Sequence, residues 1–444
     1  MATDTQDRVV AKLQALVRVP TVSDRDPALV DTAAFDRLLK ELADQFPRLH
    51  AELELTRVGT HGLLFRWPGD SAEMPVVLMA HLDVVPIDED APWQHPPFGA
   101  EIHDGAIWGR GTLDDKGCVV AICEAVELLL EAGDTPAQDV WLSFGCDEEV
   151  SGEAAQAAVD VLKSRDVAPW FVLDEGGAIA HQAFPGVEPP LGVIGVTEKG
   201  TTSVELVAEG RGGHASTPAK NGPIARIARA ILRIEKSPFP ASAPAPTLEL
   251  LRRLAPHLPP VARPVARNAE RITPLITRAL LAAGPEAAAM TRTTVAATTL
   301  SGSPALNVIA SSARAGLNIR IMVGDTVADV LAHLRATIKD DDIRIEVVEQ
   351  GEPSPISPMD EAFELLEHTI LAVFPDAVTT PYVMMAATDS RHFTAISERV
   401  YRFAPFRMTK AQREAIHSYD EHLGIEDLVD GVTWYRTLIE RLPR

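Results

Sequence analysis

The stretch Val76-Val77-Leu78-Met79-Ala80-His81-Leu82-Asp83 decides the fold of this chain. Its five consecutive apolar residues predict a buried strand of the kind found in parallel sheets. Polar residues that follow such a strand lie at its carboxyl end, where open α/β sheets place their functional sites. His81 is therefore a candidate metal ligand, and Asp83 is placed to orient its ring, as carboxylates do for metal-bound histidines. A core histidine with an unrelated aspartate is the alternative at this point.

The composition excludes several classes of protein. A chain of 444 residues is longer than a single hydrophobic core usually accommodates, so two domains are expected. A net charge of −22 argues against nucleic acid or an anionic membrane as partner, because both require clustered basic residues. The three cysteines form no CxxC pair and indicate a reducing compartment. No signal peptide or membrane span is recognisable, so we expect a cytoplasmic protein.

Two further predicted strands also end in acidic residues. The apolar run 140–144 leads into Asp147-Glu148-Glu149, and the run 170–173 ends at Asp174. Helical patterns separate these strands, over 117–132 and from Gly152 onward. Strands alternating with helices predict an α/β fold with a mostly parallel sheet flanked by helices. Its strand ends would bring these acids close to His81.

The pattern changes near residue 192 and indicates a second α/β unit inserted into the first. We expect a catalytic domain from 1–192 and 351–444, interrupted by an inserted domain at 193–350. Outside the runs already given, the patterns predict strands over 53–57, 62–67, 202–208, 293–300, 313–322 and 343–348, helices over 6–17, 28–45, 327–338, 362–374 and 425–442 and one beginning at Pro223, and amphipathic segments over 248–254 and 269–282.

The acids and histidines together predict a two-metal site. Such a site needs a bridging ligand, for which a carboxylate is suited because its two oxygens can reach two ions. Imidazole and carboxylate donors without thiolate are typical of a catalytic zinc site rather than a structural one. Glu148 is then free to act as general base, whereas a solvated acidic loop is the alternative for Glu148-Glu149. The candidate ligands are His81, Asp114, Glu149, Asp174 and one late histidine.

These motifs resemble the M20 metallopeptidases in the right order over nearly the whole chain. They are His81-Leu82-Asp83, Gly109-Arg110-Gly111 with Asp114-Asp115-Lys116-Gly117, Asp147-Glu148-Glu149, Asp174-Glu175-Gly176 and Gly213-His214-Ala215. The family includes glutamate carboxypeptidase, succinyl-diaminopimelate desuccinylase, aminoacylase, carnosinase-type dipeptidases and carboxypeptidase S. The resemblance implies a zinc-exopeptidase-like fold, with the inserted segment as an α+β lid and dimerisation domain.

The resemblance also implies a role for each ligand. Asp114, rather than Asp115, matches the bridging aspartate because it precedes the Lys-Gly pair by two residues. His81 and Asp174 would hold one zinc, and Glu149 and a late histidine the other. Glu148 would be the catalytic base, with Asp83 as the residue that orients His81.

The late histidine is assigned to His417. The segment 415–421 resembles the family's His-Gly-x-Asn-Glu motif, although Ser418 replaces the glycine and Asp420 the asparagine. His422 is a weak rival, and His392 is a still weaker one because it lies within the segment 388–393, which resembles a substrate-binding segment of the family in which Arg391 would be the functional residue.

The remaining assignments concern the substrate and a partner subunit. His214 matches a histidine that reaches across a homodimer to the partner's active site and stabilises the oxyanion. Asn307 and Arg320 match residues that bind the substrate carboxylate, a task that suits the bidentate guanidinium group.

The resemblance thus implies a di-zinc hydrolase, with Co²⁺ or Mn²⁺ as alternative metals. It would cleave the amide bond of a dipeptide, a peptide C-terminus or an N-acyl amino acid with a free carboxylate, using a metal-bridging water activated by Glu148. The apolar inserted segments most resemble the carboxypeptidase S branch. Two alternatives stay open: a di-metal hydrolase of another amide or carbamoyl compound, and a metal-binding protein without turnover.

Overall fold

A ten-stranded mixed sheet, the large sheet, organises the computed structural model, which describes residues 2–218 and 220–444. Four strands at its centre lie side by side and run parallel, in the order Gln138–Gly145, Ser71–His81, Phe171–Asp174 and Val400–Arg402. Antiparallel pairs occur toward both edges. The predicted α/β fold with a mostly parallel central sheet is confirmed.

Alternating side chains of the strand Ser71–His81 pack against helices on the two faces of the large sheet. Leu78 and its neighbours at 76 and 80 belong to the same apolar cluster as the buried side of the helix Lys116–Ala132. Val77 and Met79 point the other way and pack in a cluster with the helix Glu153–Ser164. Because successive residues of a strand face opposite sides, a continuous apolar run is what a strand covered on both faces requires.

A second, antiparallel sheet, the four-stranded sheet, is formed from the strands Thr294–Ser301, Ser312–Ile321, Gly200–Glu209 and Ile343–Glu349, in that order. The helices Pro223–Lys236 and Val327–Ile338 pack against one of its faces in an apolar cluster of their own. All these elements fall within 193–350, the range predicted as an inserted domain, whose boundaries stay a prediction.

Short helices that lie in the chain between Pro223–Lys236 and Thr294–Ser301 cover one edge of the large sheet. Their apolar residues form a cluster with Leu191 and Val378, which belong to paired parallel strands. The amphipathic segment predicted over 269–282 divides into a 3₁₀ turn at Ala269–Ile272 and a helix from Thr273. The covering helices are Ala245–Leu254, Arg263–Arg267, Thr273–Ala282 and Pro285–Ala289.

The predicted helix over 28–45 begins later than expected. A 3₁₀ turn occupies Pro27–Leu29, and the helix itself is Thr32–Gln45. The side chain of Asp31 caps it by accepting a hydrogen bond from the backbone N–H of Ala34 at 3.2 Å, which satisfies one of the free donors of the first turn.

The other elements complete the large sheet and its cover or form two small sheets, one of two strands and one of three. No helix of the described residues is both long enough and apolar enough to cross a membrane. The remaining helices are Ala2–Val17, Pro47–Glu52, Glu361–Val373, Lys410–Ala415 and Ile425–Glu440, with 3₁₀ turns at Ala255–His257 and Asp389–Ala395. The remaining strands are Glu54–Val58, Gly62–Trp67, Glu101–His103, Ala106–Trp108, Ala178–Ala180, Leu191–Glu198, Gly213–His214, Val308–Ile309, Val378–Met384, Arg407–Met408 and His422–Gly424.

Candidate metal centre

Three neighbouring parallel strands deliver candidate ligands to one edge of the large sheet. The strand Ser71–His81 ends in His81, and Phe171–Asp174 ends in Asp174. On the other side, Gln138–Gly145 continues into the loop with Glu148 and Glu149. Carboxyl ends of parallel strands meet at one edge, and this explains why residues far apart in sequence share a site.

Four side chains form the histidine–carboxylate cluster, which consists of His81, Asp114, Glu149 and His417. The Nε2 atom of His81 lies 2.9 Å from Oδ1 of Asp114. The Nε2 atom of His417 lies 3.0 Å from Oδ2 of Asp114 and 3.1 Å from Oε2 of Glu149. One carboxylate thus faces one histidine with each oxygen, as a ligand that bridges two metal ions must.

Asp83 positions both the histidine and the loop with the two glutamates. Its side chain is fully buried. The Nδ1 atom of His81 lies 3.0 Å from the backbone oxygen of Asp83 and 3.4 Å from its Oδ1. The two carboxylate oxygens also accept the backbone N–H groups of Glu148 and Glu149, each at 3.2 Å. Burial alone would raise the pKa of Asp83, but the hydrogen bond from His81 and the other donors lower it.

Glu421, to which the sequence analysis assigned no role, connects Asp114 to the turn that carries His417. Its buried carboxylate accepts the backbone N–H of Leu113 at 2.8 Å and of Asp114 at 3.1 Å. Arg110 donates to Glu421 at 2.6 Å and to the backbone oxygen of Ser418 at 2.6 Å. Arg110 and Glu421 both lie inside motifs quoted in the sequence analysis, and this position was the one indication of a role that the sequence offered. Their contacts are known only from the fold.

His417 is the late histidine that lies in the cluster. Its φ of +61° is a left-handed conformation that helps turn the ring toward Asp114. His422 instead stacks on Trp108, with 4.1 Å between ring centroids. His392 lies 3.2 Å from the side-chain oxygen of Gln156, through Nδ1. Neither rival has a hydrogen bond or ion pair with Asp114 or Glu149 among the described residues.

Asp174 and Asp115 lie beside the cluster with other partners. Asp174 accepts the backbone N–H of Ser390 at 2.8 Å and of Glu175 at 3.0 Å. His81, Asp114 and Glu149 form a group whose ligand atoms all lie within 4.8 Å of one another, and Asp174 is not part of it. Asp115 accepts the backbone N–H of His81 at 3.3 Å, so its role differs from that of Asp114.

The electrostatics of the cluster favour a bound cation. Hydrogen bonds that His417 donates to the carboxylates of Asp114 and Glu149 raise its pKa to about 10. Burial raises the pKa of Glu149 despite the nearby His417, and repulsion from Asp114 adds to the rise. The Oε1 atom of Glu149 is buried and has no hydrogen-bond partner among the described residues. A buried carboxylate oxygen without a donor costs free energy that a metal ion would recover, so these residues fit a metal.

His214 and Asn307 lie together, away from the cluster. A two-stranded ladder places His214 opposite Val308, and the N–H of Ala215 donates to the backbone oxygen of Asn307 at 3.1 Å. Both side chains are exposed, and no described hydrogen bond or ion pair joins either of them to the histidine–carboxylate cluster of the same chain.

The two candidate arginines have different environments. Arg320 donates to the hydroxyl of Thr201 at 2.7 Å. Arg391 donates to the backbone oxygens of Thr388 at 2.8 Å and Ser151 at 3.1 Å. Arg391 therefore ties the 3₁₀ turn to the loop of Glu148 and Glu149, a contact that the sequence did not suggest.

Two relatives are similar in sequence to this chain over nearly its whole length. A probable carboxypeptidase S-like protein of Dictyostelium discoideum is 35% identical over 409 residues, covering 90% of this chain and 78% of the relative. The human N-fatty-acyl-amino acid synthase/hydrolase PM20D1 is 34% identical over 445 residues, covering 98% and 88%.

Solved structures share the fold at much lower sequence identity. An M20 family metallo-carboxypeptidase of Sulfolobus solfataricus superposes with a TM-score of 0.71 at 17% identity, covering 97% of this chain and 98% of that one. Human carnosine dipeptidase 1 gives 0.70 at 16%, covering 98% and 96%. The sequence pattern of one family matches residues 77–441, and the chain belongs to that family, peptidase family M20/M25/M40.

Proposed function

We propose that this M20 enzyme, a hydrolase of the peptidase and amidohydrolase type, binds two zinc ions and cleaves the amide bond of an N-acyl amino acid or peptide with a free carboxylate. The observation that carries the proposal is the placement of Asp114, with one carboxylate oxygen on His81 and the other on His417. Names of relatives such as PM20D1, an N-fatty-acyl-amino acid synthase/hydrolase, support the choice of substrate.

The proposed ligands are those implied by the family resemblance. His81 and Asp174 would hold one ion, Glu149 and His417 the other, and Asp114 both. Divalent ions held there would lower the pKa of water and polarise the amide carbonyl. Zinc suits imidazole and carboxylate donors, and Co²⁺ and Mn²⁺ are the alternatives.

Glu148 is the proposed general base. Asp83 accepts the backbone N–H groups of Glu148 and Glu149 and so fixes the loop that carries the proposed base. Burial and repulsion from Asp389 and Glu149 raise the pKa of Glu148 well above its ordinary value. A carboxylate with a raised pKa can take a proton from water and return it to the leaving nitrogen near neutral pH.

The substrate groups are proposed to come from residues outside the cluster. Arg320 and Asn307 would bind the carboxylate, and Arg391 would line the site while it holds the loop of the base. His214 would stabilise the oxyanion in the site of a partner subunit, which agrees with its exposure in the single chain.

A homodimer through residues 193–350 is part of the proposal. The strand Thr294–Ser301 forms an edge of the four-stranded sheet and is exposed from residue 296 onward. Ile224 and Leu232, two turns apart on one helix, are 49% and 52% exposed. An open sheet edge beside exposed apolar residues is typical of a surface that pairs with a second copy. Sedimentation at micromolar concentration tests this, and a monomer at all concentrations would contradict it.

The test of the proposed reaction combines metal counting with a substrate panel. Zinc per chain is measured by elemental analysis, and hydrolysis is followed on dipeptides and on N-acetyl, N-oleoyl and N-carbamoyl derivatives of one amino acid. We expect about two zinc ions per chain and cleavage that a chelator abolishes and zinc restores. Preference for the carbamoyl compound would favour the alternative amidohydrolase, and zinc without any cleavage would favour a non-catalytic role.

A further inference from the structure

Three basic side chains, the junction cations Lys199, Arg292 and Arg320, lie together where the chain passes from the large sheet to the four-stranded sheet. Lys199 is the residue between the strands Leu191–Glu198 and Gly200–Glu209, and it is only 2% exposed. Its ammonium donates to the backbone oxygen of Arg292 at 2.9 Å. Arg320 stands opposite Thr201, which is two residues beyond Lys199.

None of the junction cations has a carboxylate within ion-pair distance among the described residues. For Lys199 this leaves the charge of an almost fully buried ammonium without a counter-charge, which costs free energy. The other end of the same sheet shows the ordinary arrangement, since Arg314 pairs with Glu205 and Arg344 pairs with Glu209. The acidic residue whose charge acts on Arg320 is Glu349, and its carboxylate pairs with Arg25 at 3.2 Å.

The junction cations lie next to the segment that leads to the metal centre. The backbone N–H of Lys199 donates to the oxygen of Met384 at 3.0 Å. The Met384 side chain lies against Gly176, where an added Cβ would be 2.8 Å from its Cε. Six residues after Met384, the N–H of Ser390 donates to Asp174 at 2.8 Å. The junction is therefore connected to the proposed metal ligand Asp174 through Met384 and the segment that follows it.

We propose that Lys199, Arg292 and Arg320 form one anion site, and that Lys199 determines the selectivity of the enzyme for substrates that carry a carboxylate. This inference rests on the proposed function, in which Arg320 already contacts that carboxylate. It adds a second, buried charge that the family motifs did not single out.

Burial and mutual repulsion destabilise the positive charges at the junction, so a bound anion would stabilise them. Burial, with the added repulsion of Arg320 and Arg292, lowers the pKa of Lys199 to about 8. Burial also lowers the pKa of Arg320. A bound carboxylate offsets both the lost hydration and the repulsion, so its affinity depends on the charge of Lys199.

The test compares a substrate with its uncharged analogue. An N-acyl amino acid and the corresponding α-carboxamide are assayed with the zinc-loaded wild type, Lys199→Met, the charge-conserving Lys199→Arg and a control, Lys236→Met, at an exposed lysine of a helix. We expect Lys199→Met to lower the ratio of kcat/KM for the carboxylate over the carboxamide about tenfold, the contribution of one charge-assisted hydrogen bond. Lys199→Arg should retain most of the ratio, and Lys236→Met all of it. An equal loss for both substrates would overturn the inference.

A second measurement needs no variant and remains valid if Lys199→Met fails to fold. Because Lys199 is charged below pH 8 and neutral above it, the wild-type KM for the carboxylate substrate should rise between pH 7 and 9.5. The KM of the carboxamide should not follow. A parallel course of the two profiles would refute a role for Lys199.

Calorimetric binding of the free product amino acid separates this inference from the proposed function. If the wild type hydrolyses nothing but binds the amino acid more tightly than Lys199→Met does, the anion site stands and the proposed reaction is wrong. If hydrolysis occurs while both proteins bind the amino acid equally, the reaction stands and the anion site is wrong.

Discussion

Replacing Glu421 by glutamine is expected to weaken the metal centre although Glu421 is not one of its proposed ligands. Its carboxylate accepts hydrogen bonds from Arg110 at 2.6 Å and from the backbone of Gly111 at 3.0 Å, Leu113 at 2.8 Å and Asp114 at 3.1 Å. In the variant an NH₂ group faces donors, and the buried Arg110 loses its counter-charge.

The expected loss follows from these contacts. Breaking a buried ion pair from one side costs about 3–5 kcal/mol. We therefore expect the unfolding free energy to fall by about 3 kcal/mol, which corresponds to a decrease of roughly 3 °C in Tm for a chain of this size. The backbone of Asp114 and the turn of His417 also lose their common anchor, so zinc affinity should fall by about 10- to 100-fold.

Two assays measure these effects separately. Thermal unfolding with a chelator reports the stability of the metal-free protein, and titration against a zinc-binding dye reports the affinity. The control is Glu414→Gln, since Glu414 forms an exposed pair with Lys410 and should contribute less than about 1 kcal/mol. If Glu421→Gln keeps both the Tm and the zinc affinity of the wild type, Glu421 does not hold the cluster together.

Three further predictions concern the base, the oxyanion and the response to acid. Glu148→Gln should abolish turnover and keep the zinc content, whereas the exposed Glu153→Gln should change neither; residual wild-type turnover would exclude Glu148 as the base. His214→Ala should lower kcat by about 10²-fold or more with unchanged zinc and dimer content, and wild-type kcat would remove it from the site. Burial and the charge of Arg391 lower the pKa of His392 to about 4. Between pH 6.5 and 4 the unfolded chain therefore takes up a proton at His392 that the folded protein does not, and the folded protein loses stability as the pH falls. In chemical denaturation, His392→Asn should lose about 2–3 kcal/mol less than the wild type over that interval, and parallel curves would show that His392 is not buried in neutral form.

Local patterns predicted most of the secondary structure because a strand or helix depends mainly on where its own apolar residues lie. The helix over 327–338 has the predicted bounds, Val327–Ile338. The strand of residues 76–80 is longer than predicted and begins at Ser71, where few apolar residues mark it. Short strands such as Val400–Arg402 were missed, since three residues carry too little periodicity to be recognised.

The sequence by itself determined the class of fold, the family and the residue types of the candidate site, because apolar runs followed by histidine or acids can be read locally. Only the tertiary structure decided which late histidine lies beside Asp114 and that Glu421 joins Asp114 to the turn of His417. It also decided that Lys199 lies near Arg320 and that neither has an ion pair with a carboxylate among the described residues. Those relations join residues as far as 307 positions apart. They depend on strand order and loop packing, which no local pattern contains.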